Sequence, residues 1–410
     1  MGLTMQKLVL IFATALLASN VGCKSKGDAG PAQGASDSLV LGASLSLTGS
    51  LAREGSLTKE GYELCRTVVN EKGGVPVGDK KLKLEIQYQD DTSKPDTAAQ
   101  LVDQFNDKGV KLILGPYGSA TTEAAAAVIE RNGQVMADSA GADDKIFEKN
   151  YQRTFAVLSP ASQYVASMVQ AIADLAQPRP TKLAFISADD GFSKTATRAG
   201  IARAQQLGFE VVAEEYVPNA ASDVSSALTK IKPKNPEVIF GSAHMVESIA
   251  IVRQALELGV TPSAFAETIA PPTPDFAKSL GAAAEGVLGS TQWTPKMSGS
   301  DKWFGTAGQF ATTHRKMFEG REPAYQNAQA TAACLALILA VEKAGTTDPN
   351  PVREQLAKLD EQTFFGPLKF SDKGQNVVKP MAVIQIQNGR PVGIWPKASA
   401  EAALKWPGRS

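Results

Sequence analysis

"LGPYGSATTEAAAAVIERNG", residues 114–133, closes a short apolar run, "VKLIL", with a Gly-Pro-Tyr-Gly corner and goes straight into an alanine-rich helix. Ser119, Thr121 and Thr122 fall on its first turn. Hydroxyls there suit capping, because a side-chain oxygen can satisfy one of the orphan N–H groups that open a helix. They equally suit an anion site, since those N–H groups and the positive end of the helix dipole favour a carboxylate or phosphate. These residues alone leave both readings open. What they do fix is a strand, a tight corner and a helix in direct succession, the unit of a parallel α/β sheet.

The same succession extends on both sides. "LVLGASLSL" (39–47) is strand-like and "TKEGYELCRTVVNEKGG" helical, and "KLKLEIQYQD" (81–90) alternates as a half-buried strand does. After Pro95 a helix sets Ala98, Leu101, Val102 and Phe105 on one buried face. "QVMAD" and "YQRTFAV" follow the opening stretch. A second run begins near residue 160, with Val165, Met168, Val169 and Ile172 lining a helix. Then come "KLAFISADDGFSK", "EVVAEEYV" and "PEVIFGSA", and a helix whose apolar face is read as Ile249, Val252 and Leu256. Residues 302–360 return to helix, "ACLALILAV" (333–341) reads as a buried helix face, and 366–396 read as two or three strands. With 410 residues the chain is too long for one typical core. The expected fold class is α/β, with two Rossmann-like lobes built on parallel central sheets.

The N-terminus carries an address rather than a fold. "LVLIFATALLA" is an apolar core of 11 residues, short of the roughly 20 needed to span a bilayer but suited to an export signal. It ends at "SNVGC", which resembles a bacterial lipobox with Asn20 where a leucine is usual, so Cys23 is the expected site of lipid attachment. "KSKGDAGPAQGASDS" then reads as a flexible tether. Cys65 and Cys334 are the other cysteines; an exported compartment permits a disulfide, but no spacing brings them together, and buried free thiols are the expectation.

Charge and motifs exclude several classes. The 42 basic and 42 acidic residues cancel, so nothing argues for nucleic acid or another polyanion. There is no G-x-G-x-x-G, no phosphate-binding G-x-x-x-x-G-K-[ST], no C-x-x-C and no G-x-S-x-G elbow. His244 and Glu247 could share a metal, but no further ligand joins them, so neither metal nor cofactor is expected. The aspartate pairs at 90–91, 143–144 and 189–190 read as turn and cap residues. Open α/β sheets bind ligands beyond the carboxyl ends of their strands. That selects the loops "SLTGSLAREG", "GPYGSATT", "DSAGADD", "SADDGFS" and "GSAHMVES".

Taken in order, "SLTGSLAREG", residues 68–102, "ILGPYGSATT", "VRQALELGV", "GAAAEGVLGS", "FFGPLKFSDKGQ" and "GIWP" resemble the periplasmic leucine/isoleucine/valine-binding protein family, over about residues 38–396. The resemblance implies a type I periplasmic-binding-protein fold with three crossovers between its lobes. Lobe one would hold 38–157 and 289–364, lobe two 158–288 and 365–396, after a signal peptide to residue 23 and a tether at 24–37; 397–410 would be a tail. It implies an ABC importer's solute receptor, working with a permease and cytoplasmic ATPases, that closes on a small molecule and breaks no bond. Ser119, with Tyr117 and Gly118, would hold the ligand's carboxylate. Ser139, Ala140 and Gly141 match a Ser-Ala-Thr pattern, with Gly141 replacing the threonine. Phe192 stands where a tyrosine is common, Glu267 would receive an ammonium, and Arg53 and His244 would lie on opposite rims. A branched-chain or other apolar amino acid is the expected ligand; amides, ureas and aromatic acids, a sensing role and a hydrolase on this scaffold are the alternatives.

Overall fold

The computed structural model describes residues 37–408; the export signal, Cys23 and nearly all of the tether lie outside them. The chain first builds β1 (Ser38–Leu45), α1 (Ala52–Glu71), β2 (Val75–Val77), β3 (Lys80–Asp90), α2 (Pro95–Asp107), β4 (Leu112–Leu114), α3 (Ser119–Asn132), β5 (Val135–Asp138), α4 (Asp144–Glu148) and β6 (Thr154–Ala156). These strands form a six-stranded sheet in the order β2-β3-β1-β4-β5-β6. Only the β2–β3 pairing is antiparallel. The α2 face read from spacing is the buried one: Ala98, Leu101, Val102 and Phe105.

A crossover at 157–161 leads into the second body. Its elements are α5 (Ser162–Leu175), β7 (Lys182–Ala188), α6 (Gly191–Gln206), β8 (Glu210–Val217), α7 (Ser225–Ile231), β9 (Val238–Ser242), α8 (Met245–Glu257), β10 (Ala264–Glu267), α9 (Pro274–Leu280) and β11 (Leu288–Thr291). The chain then returns to the first body. It forms the small hairpin β12 (Ser300–Asp301) and β13 (Gly305–Thr306), then α10 (Ala307–Met317), α11 (Tyr325–Ala344), α12 (Pro349–Ala357) and the hairpin β14 (Asp360–Thr363) and β15 (Gly366–Lys369). A third crossover delivers β16 (Ala382–Gln387) and β17 (Arg390–Trp395) to the second sheet. That sheet runs β17-β16-β11-β10-β9-β7-β8, parallel except at β16 and β17.

The fold is therefore the expected α/β one, two sheets joined by three crossovers. Two details differ from the sequence reading. The buried face of α8 is Ser248, Ile251, Val252 and Ala255, whereas Ile249 and Leu256 are only half-buried. The sheet beneath rotates the contact face by about one residue. Cys65 and Cys334 are not free thiols but a disulfide, with Cα atoms 6.4 Å apart. The cause is the close crossing of α1 and α11. A Cβ on Gly61 would lie 2.3 Å from the Asn327 carbonyl, so glycine lets the helices touch there. Thr331 Oγ1 donates to the Gly61 carbonyl (2.8 Å) and Asn327 Nδ2 to that of Leu57 (2.8 Å). "ACLALILAV" is buried throughout, within an α11 whose residues 325–341 are all buried.

Candidate functional site

A cleft of about 370 Å³ opens where strand ends of the two sheets face each other. From lobe one it takes Tyr117, Gly118, Ser119, Ala140, Ala142 and Asp143, with Tyr325 and Gln329 reaching in from α11. From lobe two come Tyr164, Asp190, Phe192, His244, Glu247 and Ile269. All five loops singled out by sequence contribute, and together they supply most of this lining.

The N-terminus of α3 faces the cleft with no side chain capping it. Its N-cap is Gly118 at φ 99°, a left-handed conformation that glycine adopts without steric cost. Thr121 Oγ1 donates to the carbonyls of Tyr117 and Gly118 (2.6 and 2.8 Å), and Thr122 Oγ1 to Asp138 (3.2 Å). Ser119 Oγ accepts the Asp143 N–H at 3.1 Å, which leaves its proton available to a ligand. The capping reading thus fails for all three hydroxyls. The first N–H groups of α3 have no acceptor within the helix and border an open space.

Other residues are fixed by short-range chemistry. Asp190 caps α6, accepting the Ser193 N–H (2.8 Å) and hydroxyl (2.9 Å), and also contacts His244 Nε2 at 3.2 Å. Asp143 caps α4 and accepts a 2.8 Å bond from Thr195 Oγ1 across the cleft. Phe192 stands edge-on to Tyr164, with ring centroids 5.0 Å apart, and 5.9 Å from the His244 ring. The aspartate pairs do cap and turn, as read, but two of them also wall the cleft.

The cleft is acidic. Glu123, Asp143, Asp190 and Glu247 line it, and His244 is the one basic side chain among the described lining residues. Burial alone would lower the His244 pKa. The hydrogen bond and charge of Asp190, with the charges of Glu247 and Glu54, outweigh it and carry the imidazole up to about 9. Its Nδ1 and Glu247 Oε2 are buried without a hydrogen-bond partner. Glu247 Oε1 accepts the Ala220 N–H.

Tyr117, Gly118, Ser119, Ala140, Phe192 and His244 therefore meet in one cleft. Ser139, Gly141, Glu267 and Arg53 do not line it. Ser139 is buried against the Tyr62 hydroxyl (2.9 Å). The Gly141 N–H turns inward to Asp138 (3.0 Å), and Ala142 takes the place in the lining. Glu267 is fully buried beneath, in space opened by Gly241, where a Cβ would lie 2.0 Å from its carboxylate. Desolvation raises Glu267 to about 8, so it stands neutral at pH 7. Arg53 pairs with Asp275 at 2.7 Å beside a separate cavity. Sequence reasoning missed Tyr164, Tyr325 and Gln329 as cleft residues, and it set Asp143 and Glu247 in ligand-facing loops without giving them a part in binding. Glu247 had a usable signal, as an acid on the first turn after a strand-end loop. Tyr325 and Gln329 had none, because only the return of α11 brings them there. Among the described residues no group of His, Cys, Asp or Glu converges to hold a metal ion, and no single helix is long and apolar enough to cross a membrane.

Residues 38–391 match the family model described as periplasmic binding protein, and the chain belongs to that family of solute-binding, non-enzymatic proteins. Leu/Ile/Val-binding protein homolog 7 of Brucella suis is 22% identical, over 85% of this chain and 88% of its own. A branched-chain amino acid transporter substrate-binding protein from Streptococcus pneumoniae, solved with isoleucine, superposes with a TM-score of 0.75 at 21% identity, covering 90% of this chain and all of that one. A solute-binding protein of an ABC transporter from R. palustris, solved with benzoate, gives 0.73 at 17% identity, over 89% and 98%. The fold is thus common to receptors of different ligands, and the lining must decide between them.

Proposed function

We propose that this chain is the exported receptor of an ABC importer and that it binds an α-amino acid with an apolar side chain between its lobes. One observation carries the reading: the cleft sets the uncapped N-terminus of α3, with the Ser119 hydroxyl, in the same cavity as the unpartnered Glu247 Oε2. A zwitterion satisfies both. Its carboxylate meets the helix N–H groups and Ser119, and its ammonium meets Glu247. Glu247 is preferred to Glu267 for that role because it lines the cleft, while Glu267 is buried beneath it and neutral. Phe192, Tyr164 and Ile269 offer an apolar wall to the side chain. Lobe closure by hinge motion at the crossovers encloses the ligand, and a permease with cytoplasmic ATPases receives it. Lipid attachment at Cys23 holds the receptor at the membrane. An intact-mass measurement lacking a diacyl or triacyl cysteine at the mature N-terminus would remove the anchor.

The test is a thermal-shift panel on protein stripped of carried-over ligand by unfolding and refolding. Leu, Ile, Val, Phe, short-chain amides, urea and benzoate are compared. A ligand at a thousand times its dissociation constant adds about 4 kcal/mol, a shift of several degrees. A response to Leu, Ile, Val or Phe supports the zwitterion site. Silence from every α-amino acid, with a response to benzoate or an amide, overturns it.

A further inference from the structure

The three crossovers meet in one buried knot. Ser159 belongs to the first, Gln292 follows β11 in the second, and Lys379 lies in the third. The Ser159 N–H donates to Gln292 Oε1 at 3.0 Å, and Ser159 Oγ donates to the Lys379 carbonyl at 2.9 Å. Lys379 Nζ donates in turn to the Gln292 carbonyl. All three residues are buried. Gln292 Nε2 spends its two hydrogens differently: one goes to the Ser159 carbonyl (3.3 Å), the other to the Tyr164 hydroxyl (2.8 Å). Tyr164 lines the cleft and packs edge-on to Phe192.

We propose that Gln292 is a positioning residue that couples the hinge to the ligand: its side-chain amide ties the first crossover to the second and also fixes the Tyr164–Phe192 wall of the cleft, while Lys379 joins the third crossover through the Gln292 carbonyl. This rests on the hinge closure proposed above. A hinge of three separate strands could splay or twist independently. Strands tied through Gln292 and Ser159 move together, and a shift of the Gln292 side chain acts on Tyr164. The bonds are buried, where a donor left unpaired is costly, so the knot persists as the lobes move. Ligand that orders Phe192 and Tyr164 therefore biases the hinge toward the angle at which the Gln292–Tyr164 bond is well made.

The experiment compares wild type, Gln292→Met and Tyr164→Phe. Small-angle scattering without ligand should give Gln292→Met a larger radius of gyration and a broader distance distribution than wild type. Tyr164→Phe, which keeps the Ser159 bonds, should scatter as wild type does. With L-leucine as probe, calorimetric titration should show binding about fivefold weaker in both variants, the loss expected for one hydrogen bond. If Gln292→Met does not fold, Gln292→Glu keeps the shape and the acceptor for Ser159 N–H but replaces the amide donors with a carboxylate oxygen, which loses the bond to the Ser159 carbonyl and adds a buried charge. A folded Gln292→Met whose scattering matches wild type overturns the proposal. Wild type that ignores L-leucine removes the amino-acid reading alone, and the ligand-free scattering still decides the hinge.

Discussion

The carboxylate of Asp143, in lobe one, accepts a 2.8 Å hydrogen bond from Thr195 Oγ1 in lobe two. On the lobe closure proposed above, this inter-lobe bond belongs to the closed form. Thr195→Val removes it with little change in volume. Ligand affinity should fall about fivefold, the worth of one hydrogen bond near 1 kcal/mol, while the ligand-free unfolding midpoint stays put. Titration and denaturation of the same preparation check both halves.

On the proposed function, Ser119→Ala and Glu247→Gln address opposite ends of the ligand. Losing the Ser119 hydroxyl removes one of several carboxylate donors, so about a tenfold loss of affinity is expected. Neutralising Glu247 removes a charge-assisted contact and should cost more, by about a hundredfold. If Glu247→Gln binds an α-amino acid as well as wild type in titration, the ammonium lies elsewhere.

Glu267 makes the stability depend on pH in a stated direction. Its folded-state pKa, raised by burial to about 8, lies above the ordinary value of 4.5. The native protein therefore holds a proton that the unfolded chain releases. This contribution is complete below pH 4.5 and is lost as pH rises toward 8. Glu267→Gln keeps the shape and the neutral form, so its stability relative to wild type should climb through that window and level off above it. Urea unfolding at pH 4, 6 and 8 measures the difference, and a constant difference would contradict the assignment.

The Cys65–Cys334 bridge closes a loop of 269 residues. Replacing both cysteines with alanine should lower stability by about 2–5 kcal/mol, the usual loss for a native disulfide. Reductant should lower the melting temperature of wild type and leave the double variant unchanged. Calorimetry with and without reductant tests this.

Much of this fold is written in short-range patterns. The strand–helix alternation and the faces of α2 and α5 follow from the spacing of apolar residues over one or two turns. The strand-end loops follow from their Gly, Ser, Thr and Asp content. The readings that failed depend on contacts distant in sequence. Cys65 and Cys334 meet because Gly61 lets α11 approach α1, and nothing near either cysteine encodes that. Glu267 and Glu247 are both acids at strand-end loops; which of them is exposed to the cleft depends on how Gly241 and α8 make room. The face of α8 shifted because the sheet under it, rather than the helix's own periodicity, sets which residues are covered.

The close crossing of α1 and α11 also bears on selectivity. Ser50 and Leu51, just before α1, and Tyr325 and Gln329, on α11, all border the cleft. Behind them the two helices are in backbone contact at Gly61 and covalently joined at Cys65 and Cys334. That side of the pocket has no slack, since close-packed interiors yield little to an oversized guest. On the proposed function, an amino acid with a bulkier side chain would hold the lobes apart instead of denting the wall. On that reading, size discrimination is a failure to close, and a misfit occupies the receptor while presenting the wrong outline to the proposed permease.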